Sequence, residues 1–406
     1  MKKKISVIGL GYIGLPTSAI LAKAGYEVSG IDINEKVVDT VNNGKIHFKE
    51  HNLDKYVKDS VNSGNLKAFT EHQYSDIYII CVPTPLHQSE TRYLPNIDHV
   101  LKATRDISKF LKKGDIIILE STSPVGTTEK IRDMLIDLNV DVKELNIAYC
   151  PERVLPGNIL SEFILNDRIV GGLTAEDSKI ISDFYRTFVK GNVYQTSSKI
   201  AEMCKLVENS FRNINIAFAN ELSILSSEEN ISVWELISLA NKHPRVNILQ
   251  PGTGVGGHCI AIDPKFLVAS NPKSSLLVNN AIKINENKTD WVFSKIKEKI
   301  LEIKEKSGKG SLSIACLGLT FKPDIDDIRE STSLKVAIKL KKAGFEIISV
   351  EPNLKYFKEL KLYSLDHALN NSDLIVILVK HKEFLNLNLE EIKKSKDVLD
   401  FVGLNS

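Results

Sequence analysis

The chain begins with a strand, a glycine-rich turn, a helix and a second strand in close succession. An apolar run from Ile5 leads into Gly9-Leu-Gly11-Tyr-Ile-Gly14, and after a helical stretch the next apolar run ends on Asp32. Glycines at this spacing permit a tight turn and let a pyrophosphate approach the helix N-terminus, and an acidic residue about 20 positions on accepts ribose hydroxyls. The sequence therefore predicts a Rossmann-type dinucleotide-binding unit.

Further apolar runs continue this alternation. They lie at residues 77–82, 116–119, 147–150 and 168–170, with helical patterns between them. Strands that alternate with helices indicate a doubly wound sheet. The negative charge of Asp32 favours NAD over NADP, because a 2′-phosphate would meet a like charge.

A second region repeats the first. Residues 340–352 resemble residues 21–33, and residues 372–379 resemble residues 75–82. Two matches in the same order argue against coincidence between common αβ patterns. Gly318-Leu-Thr-Phe-Lys-Pro-Asp stands where the GxGxxG motif would be, so we expect a second Rossmann-like unit with a different ligand.

A long amphipathic helix is predicted between the two repeats. Its apolar residues recur at three- and four-residue steps, and they are Val207, Phe211, Ile214, Phe218, Leu222 and Leu225. Such a helix packs against a partner subunit or within its own chain, and periodicity permits both. The expected α/β fold has two Rossmann-like doubly wound domains, 1–195 and 306–406, joined by a helical domain, 196–305, that contains the long central helix.

Composition excludes several classes of protein. The 406 residues suit two or three domains, and 53 Lys plus Arg against 51 Asp plus Glu give a net charge of +2. This balance indicates no nucleic-acid or anionic membrane partner. The lysines near Met1 precede an apolar run that glycines interrupt, so no signal peptide is expected. Five cysteines without a CxxC pair indicate neither a disulfide framework nor a zinc site, and a cytoplasmic protein is expected.

The loop from Gly252 to Pro264 contains four glycines, Cys259 and Asp263. Glycine lets the backbone approach a ligand closely, so the pattern favours a thiol presented to a substrate. The alternative is a tight turn that ends in a core cysteine. His258 is adjacent to Cys259, but adjacent side chains rarely converge on one ion, so no metal is expected.

Polar residues near the predicted strand ends and on the long helix are further candidates for catalytic or ligand-binding residues. Lys205 and Asn209 share a helix face with Glu202 and Arg212. A polar face opposite an apolar stripe is usually just exposed to solvent. The alternative is a face that lines a cleft, where Lys205 would stabilise an oxyanion and Asn209 would orient an intermediate. Other candidates follow predicted strands or precede the cysteine loop; they are Thr122, Glu152, Arg153, His243, Arg245, Phe321, Lys322 and Arg329.

Taken in order, several motifs resemble the nucleotide-sugar 6-dehydrogenase family over residues 5–380. These motifs are GLGYIGLP, CVPTP, ESTSPVGTTEK, CPERVLPGN, EMCKLVENSFRNINIAFANEL, NKHPRVNILQPGTGVGGHCIAIDP and GLTFKPDIDDIRES. Within the family, PERVLPG and HPRVNIL are most similar to members that oxidise UDP-N-acetyl-D-mannosamine. Members that act on UDP-glucose carry a second glutamate where this chain has Pro156, and a tyrosine where it has His258. The segment from Asp400 also lacks the basic residue that such proteins often place there.

The resemblance implies a four-electron oxidation of the sugar C6 alcohol to a carboxylate, with two hydrides passing to two NAD molecules, for surface polysaccharide synthesis. Cys259 would attack the intermediate aldehyde and form a thiohemiacetal and then a thioester. Lys205 and Asn209 would hold the oxyanion, and Asp263 would support proton movement. Glu152 would assist hydrolysis, and Thr122 would contact cofactor and water.

The resemblance also assigns the binding residues. The NAD contacts would be Gly9, Gly11, Tyr12, Ile13, Gly14, Asp32, Thr84, Thr122 and Arg329. The UDP-sugar contacts would be Arg153, Val154, Lys205, Asn209, Arg212, His243, Arg245, Gly256, Phe321 and Lys322. A homodimer through the central helix is expected.

Three alternatives stay open. The nearest is the same chemistry on UDP-glucose or UDP-N-acetylglucosamine. A two-electron β-hydroxyacid dehydrogenase would need no cysteine nucleophile and would not explain the third domain. A non-enzymatic NAD-binding scaffold would not need Cys259, Lys205 and Glu152 together.

Overall fold

The structure is a computed structural model that describes residues 3–88, 93–155 and 157–405. Pro156, which the sequence singled out, lies outside the described residues. The chain divides into two compact units, Met1–Val207 and Glu208–Ser406. Over the described ranges, no helix is both long enough and apolar enough to cross a bilayer.

The N-terminal unit is built on an eight-stranded sheet with the order β10-β9-β8-β7-β4-β1-β2-β3. All of its neighbouring strands are parallel except β8 and β9, which are antiparallel. Strands such as Ile116–Leu119 are entirely aliphatic and buried, as expected for a sheet that helices cover on both faces. The strands, with a separate β5–β6 hairpin, are β1 Lys4–Ile8, β2 Glu27–Ile31, β3 Leu66–Phe69, β4 Ile77–Ile80, β5 Leu86–Gln88, β6 Tyr93–Pro95, β7 Ile116–Leu119, β8 Asn146–Tyr149, β9 Arg168–Gly172 and β10 Val193–Ser197.

Seven α-helices connect these strands, and an eighth leads out of the unit. They are α1 Gly14–Lys23, α2 Glu35–Asn42, α3 Leu53–Asn62, α4 Asp98–Ser108, α5 Thr127–Asp137, α6 Ile159–Leu165, α7 Ala175–Tyr185 and α8 Ser198–Glu228. Because β1, β2, β4 and β7 run parallel, their carboxyl ends and the loops that follow lie along one edge of the sheet. The predicted NAD contacts of this unit lie along that edge, whereas Arg329, also predicted to contact NAD, belongs to the C-terminal unit.

The C-terminal unit contains a parallel four-stranded sheet with the order β12-β11-β13-β14. Its strands are β11 Ser313–Leu317, β12 Glu346–Val350, β13 Leu374–Ile377 and β14 Asp397–Asp400. Its helices after α8 are α9 Val233–Ala240, α10 Asp263–Ser270, α11 Leu276–Ser307, α12 Thr332–Lys342, α13 Leu365–Asn371 and α14 Leu389–Lys393. Helix α11 is followed by Gly308, whose φ of 69° suits a glycine after a helix.

The two sheets share a local geometry at the end of their first strands, as the sequence repeat predicted. In the N-terminal unit, the Leu10 amide donates to the Asp32 carboxylate at 3.0 Å. In the C-terminal unit, the Leu319 amide donates to the Glu351 carboxylate at 2.7 Å. The glycine before each leucine has a φ near +90°. The predicted fold class, with two Rossmann-like sheets and a long central helix, is confirmed.

Helix α8 leaves four of its large apolar residues about half exposed or more, although Leu206 is buried, and it buries many of its polar residues. Val207, Phe211, Phe218 and Leu225 are 48%, 67%, 50% and 50% exposed. Buried polar residues of the same helix include Glu202, Lys205, Asn213 and Asn220. The polar face is therefore not the solvated one, contrary to the usual arrangement of an amphipathic helix.

Candidate functional site

The glycine-rich turn after β1 has the geometry of a dinucleotide-binding turn. Gly9 has a φ of +92°, and a Cβ on it would lie 2.7 Å from the Cys81 carbonyl oxygen. A Cβ on Gly14 would overlap the Gly9 carbonyl oxygen, so these two glycines are needed for packing. A Cβ on Gly11 would meet no atom within 4 Å. Space at Gly11 fits the close approach of a pyrophosphate.

Asp32 lies at the end of β2 beside this turn, and its side chain is partly exposed. One carboxylate oxygen accepts from the Leu10 amide at 3.0 Å and the other from the Asn34 amide at 2.9 Å. A carboxylate has about four acceptor positions, so capacity remains for the two ribose hydroxyls. The residues present therefore fit NAD.

The other predicted NAD residues of this unit lie near the same strand ends. Tyr12 stacks on Phe48 with ring centroids 4.3 Å apart, and Ile13 caps the start of α1. The Thr84 hydroxyl donates to the Thr122 carbonyl at 2.5 Å, which joins the loops after β4 and β7.

Glu152, predicted to assist hydrolysis, lies in a buried ion pair. Its carboxylate is 2.7 Å from the Arg168 guanidinium, and the two side chains are only 5% and 3% exposed. The Glu152 carbonyl accepts from the Lys205 ammonium at 2.8 Å. The observed contacts therefore connect Glu152 to Lys205 through the main chain, and its role in hydrolysis stays a prediction.

The neighbours of Glu152 are also held inside the unit. Arg153 donates from its side chain to the Asp167 carbonyl, and Val154 packs against the core. Burial raises the pKa of the Glu120 carboxyl, which accepts from the Tyr185 hydroxyl at 2.6 Å.

Cys259 differs from the other cysteines in its environment. All five cysteines lie in the described ranges, and Cys259 alone is exposed. Burial raises the pKa of Cys150 and of Cys316 to about 12, which makes these thiols inert at neutral pH. Cys81 and Cys204 are half-buried, so Cys259 is the most accessible of the five cysteines.

The loop around Cys259 is attached to the polar face of α8. Asn209 donates to the Asp263 carboxylate at 2.5 Å, and the Asp263 amide donates to the Cys259 carbonyl at 2.8 Å. Asn213 donates to the Ile260 carbonyl at 3.0 Å, and Asn220 accepts from the Gly252 amide at 2.9 Å. The sequence analysis missed Asn213 and Asn220. Their spacing of four and eleven residues from Asn209, which places all three on one helix face, was the available signal.

The glycines of the loop pack closely against the segment after β11. A Cβ on Gly256 would lie 2.7 Å from the Glu330 carbonyl oxygen, and one on Gly257, whose φ is +82°, would lie 2.7 Å from the Phe321 ring. The Gly257 amide donates to the Arg329 carbonyl at 3.2 Å. The structure thus brings Gly256, Phe321 and Arg329 together beside the cysteine loop.

Charged groups surround His258 in the same region. Burial and the Arg329 guanidinium lower the pKa of His258, although Asp327 opposes this shift. The Arg329 guanidinium itself donates to the Asp327 carboxylate at 2.6 to 3.0 Å. The ring therefore carries less positive charge at neutral pH than an unperturbed imidazole would.

Within the described part of the C-terminal unit, no hydrogen bond or ion pair joins the side chains of Arg212, His243, Arg245 or Lys322 to the cysteine loop. Arg212, His243 and Arg245 are exposed, and the His243 ring accepts from the Arg245 amide at 3.3 Å. The Lys322 carbonyl accepts from the Thr320 hydroxyl at 2.9 Å, which fixes the backbone next to Phe321.

One group of side chains in the described ranges has the spacing of metal ligands. Atoms of Asp324, His381 and Glu383 lie within 4.8 Å of one another. Both ring nitrogens of His381 are already engaged, because Nδ1 accepts from the Asp324 amide at 3.0 Å and Nε2 lies 3.1 Å from the Glu351 carboxylate. His381 therefore positions the loop after β11 and is a poor metal ligand.

Three segments match domain profiles of the UDP-glucose/GDP-mannose dehydrogenase family. Residues 3–189 match its NAD binding domain, 199–287 its central domain and 315–403 its UDP binding domain. The chain is 48% identical over 406 residues to a UDP-N-acetyl-D-mannosamine dehydrogenase of Campylobacter jejuni, with 96% of this chain and 98% of that one covered. It is 43% identical over 416 residues to an NDP-N-acetyl-D-galactosaminuronic acid dehydrogenase of Ralstonia nicotianae, covering 99% and 96%. The structure of a UDP-D-ManNAc dehydrogenase from Pyrococcus horikoshii matches with a TM-score of 0.90 and 36% identity, covering 99% and 96%.

Proposed function

The chain belongs to the UDP-glucose/GDP-mannose dehydrogenase family, and from this premise we propose that it oxidises UDP-N-acetyl-D-mannosamine at C6 to the uronic acid. It is an NAD-dependent oxidoreductase that acts on an alcohol of a UDP-sugar. The observation that carries the proposal is the exposed Cys259 on a loop that Asn209 and Asp263 hold, in a chain that also has a dinucleotide turn. We expect domain boundaries near residues 195 and 305, a cytoplasmic location, and use of the product in surface polysaccharide synthesis.

NAD, held by the turn from Gly9 to Gly14 and by Asp32, would supply the hydride acceptor for each of the two oxidations. The Cys259 thiol would add to the aldehyde, with a bond from sulfur to C6 and a proton on the C6 oxygen, and give a thiohemiacetal. Loss of a hydride from C6 and of the hydroxyl proton would convert this thiohemiacetal into a thioester. Water would then displace the sulfur and release the carboxylate. Asp263 would accept the proton that the C6 hydroxyl loses in each oxidation, and Lys205 and Asn209 would stabilise the charge on the C6 oxygen.

The remaining roles are proposals from the resemblance to the family. Thr122 would position the reacting water, and Glu152 would assist its attack through Lys205. Arg153, Val154, Arg212, His243, Arg245, Gly256, Phe321 and Lys322 would bind the UDP-sugar, and Tyr12, Ile13, Thr84 and Arg329 would contact NAD.

A stoichiometric assay tests the proposal. The protein is incubated with NAD and, separately, UDP-N-acetylmannosamine, UDP-glucose, UDP-N-acetylglucosamine or UDP-N-acetylgalactosamine, and NADH formed per sugar consumed is counted. We expect two NADH and the highest kcat/KM with UDP-N-acetylmannosamine. One NADH with a carbonyl product would indicate a two-electron hydroxyacid dehydrogenase, and none with any sugar would indicate a scaffold.

A second substrate is favoured by one comparison. The relative from Ralstonia nicotianae is 43% identical and is named for a galactosaminuronic acid. A higher kcat/KM for UDP-N-acetylgalactosamine in the same assay would replace the mannosamine proposal and leave the chemistry unchanged.

Replacing Asp32 should weaken the binding of NAD and leave the binding of the UDP-sugar unchanged. Loss of hydrogen bonds from the ribose to a charged acceptor costs about 1.5–3 kcal/mol, so we expect Asp32→Ala to raise the KM for NAD by about 10- to 100-fold. The KM for the UDP-sugar should stay unchanged and the relative use of NADP should rise. Asp32→Asn, which keeps one acceptor for the backbone amides, separates this effect from loss of folding. Equal changes in both KM values would contradict the assignment.

The exposed apolar residues of α8 support a homodimer through this helix. Phe211 is 67% exposed on the helix and lies seven residues before Phe218, which is 50% exposed. Burying such aromatic side chains against a second copy would be favourable. We expect Phe211→Asp to convert a dimer into a monomer in light scattering after gel filtration. Tyr356→Asp, at a residue that is 77% exposed in the segment between β12 and α13, is the matched control and should stay dimeric. A monomeric wild-type protein would contradict the proposal.

A further inference from the structure

A groove in the C-terminal unit contains a buried lysine, Lys288, that the proposed reaction does not use. Its walls include Ser223 and Ser226 of α8, Trp234 of α9, and Lys288 and Trp291 of α11. The end of β14 completes it.

Lys288 is only 2% exposed. Its ammonium donates to the Ser223 hydroxyl at 2.7 Å and lies 3.6 Å from the centre of the Trp291 ring. Ser223 in turn donates to the Asn220 carbonyl, so it is an acceptor for the lysine. An ammonium has three donors, and the described residues supply neither a second hydrogen-bond acceptor nor an ion-pair partner for Lys288. Burial lowers the pKa of Lys288 to about 7.

Ser226 lies one helical turn after Ser223 and lines the same groove. It is 3% exposed, and its hydroxyl has no hydrogen-bond partner within the described ranges. Buried polar groups are nearly always hydrogen-bonded, and a buried charge is nearly always paired. One groove therefore contains both an incompletely paired ammonium and an unpaired hydroxyl.

The other charged residues of the groove are already engaged. Lys295 pairs with Glu298 at 2.7 Å. The Asp400 carboxylate accepts from the Val402 amide at 2.9 Å and from the Leu404 amide at 2.6 Å. The Asp400 carboxylate is thus hydrogen-bonded to backbone amides and forms no ion pair with the Lys288 ammonium.

We propose that this groove binds a small oxyanion of the sulfate, phosphate or carboxylate class, with the Lys288 ammonium and the Ser226 hydroxyl as donors. The anion would supply the acceptors that Lys288 lacks and would accept the hydrogen bond of Ser226. Charge-assisted hydrogen bonds of this kind are the strong ones in proteins. The inference does not depend on the proposed dehydrogenase activity, because it uses none of the residues assigned to that reaction.

The tryptophans provide a direct test. The chain has only two, and both Trp234 and Trp291 line the groove. We expect sodium sulfate, added to the full-length protein at an ionic strength held constant with sodium chloride, to change tryptophan emission with saturation. Lys288→Met should abolish the change, and Ser226→Ala should weaken sulfate affinity about two- to tenfold. Lys297→Met, at an exposed lysine of the same helix, is the control and should respond like the wild type.

The pH dependence of sulfate binding and a comparison of different anions provide two further tests. Sulfate stays a dianion between pH 6 and 9, while Lys288 loses its proton as the pH rises through about 7. Sulfate should therefore bind more tightly at pH 6 than at pH 9, a result that does not require any variant to fold. Phosphate and acetate, titrated separately, show which oxyanion is preferred.

Three outcomes would overturn the proposal. The first is a wild-type response at pH 6 that does not saturate or that chloride reproduces. The second is a response that persists in a folded Lys288→Met variant. The third is a change in tryptophan emission that depends on the protein concentration and not on sulfate. A second copy of the chain, and not an anion, would then occupy the groove.

Discussion

Cys259→Ser should abolish formation of the uronic acid, with kcat for NADH production falling about 10³-fold or more. A serine hydroxyl is far less nucleophilic than a thiolate at neutral pH, and any ester that forms would hydrolyse slowly. Steady-state NADH production measures the loss, and intact-protein mass spectrometry detects a trapped ester.

Two further variants complete this experiment. Cys259→Ala removes the nucleophile altogether, so at most one NADH per sugar is expected, with the aldehyde as product. Cys204→Ser, at a half-buried cysteine of α8, should keep wild-type activity. Formation of the uronic acid by Cys259→Ser at the wild-type rate would contradict the covalent mechanism.

Lys205→Met should lower kcat by about 10²- to 10³-fold with little change in the KM for either substrate. Removing one preformed donor to a developing oxyanion has a cost of this size. The Lys205 ammonium donates to the Glu152 carbonyl at 2.8 Å and is nearly buried, so its position is fixed before substrate binds. Stopped-flow measurement of the two oxidations would show which of them is slower in the Lys205→Met variant.

The control for this variant lies on the same helix. Lys199→Met removes an exposed lysine that pairs with Glu129 at 3.0 Å, and it should leave kcat unchanged. Thermal unfolding of both variants separates a catalytic effect from local unfolding. A Lys205→Met enzyme with raised KM and unaltered kcat would assign Lys205 to ground-state binding only.

The fold was predictable because its signals are local. The turn from Gly9 to Gly14, the distance to Asp32 and the aliphatic strands all lie within short windows of sequence. The repeat was also visible, since Glu351 aligns with Asp32 and both accept from the amide that follows a positive-φ glycine.

The surroundings of the site were less predictable because they depend on long-range contacts. Periodicity groups residues on one face of α8 but does not say which face is covered, and Asn213 and Asn220 are buried while Phe211 is exposed. Glu152 follows a strand, as expected of a base, yet its partner Arg168 is 16 residues away on β9. Loop glycines that suggested access for a ligand serve also to pack against Phe321.

The pairing of Glu351 with His381 has a consequence for the order of events during turnover. In the C-terminal unit this carboxylate is buried and already accepts from two backbone amides and the imidazole, so it cannot receive a ribose. In the proposed four-electron oxidation, both NAD molecules would therefore bind at Asp32, one after the other. The aldehyde intermediate would then stay on the enzyme while NADH leaves and a second NAD binds, and a covalent bond to the Cys259 sulfur would keep it from dissociating during that exchange.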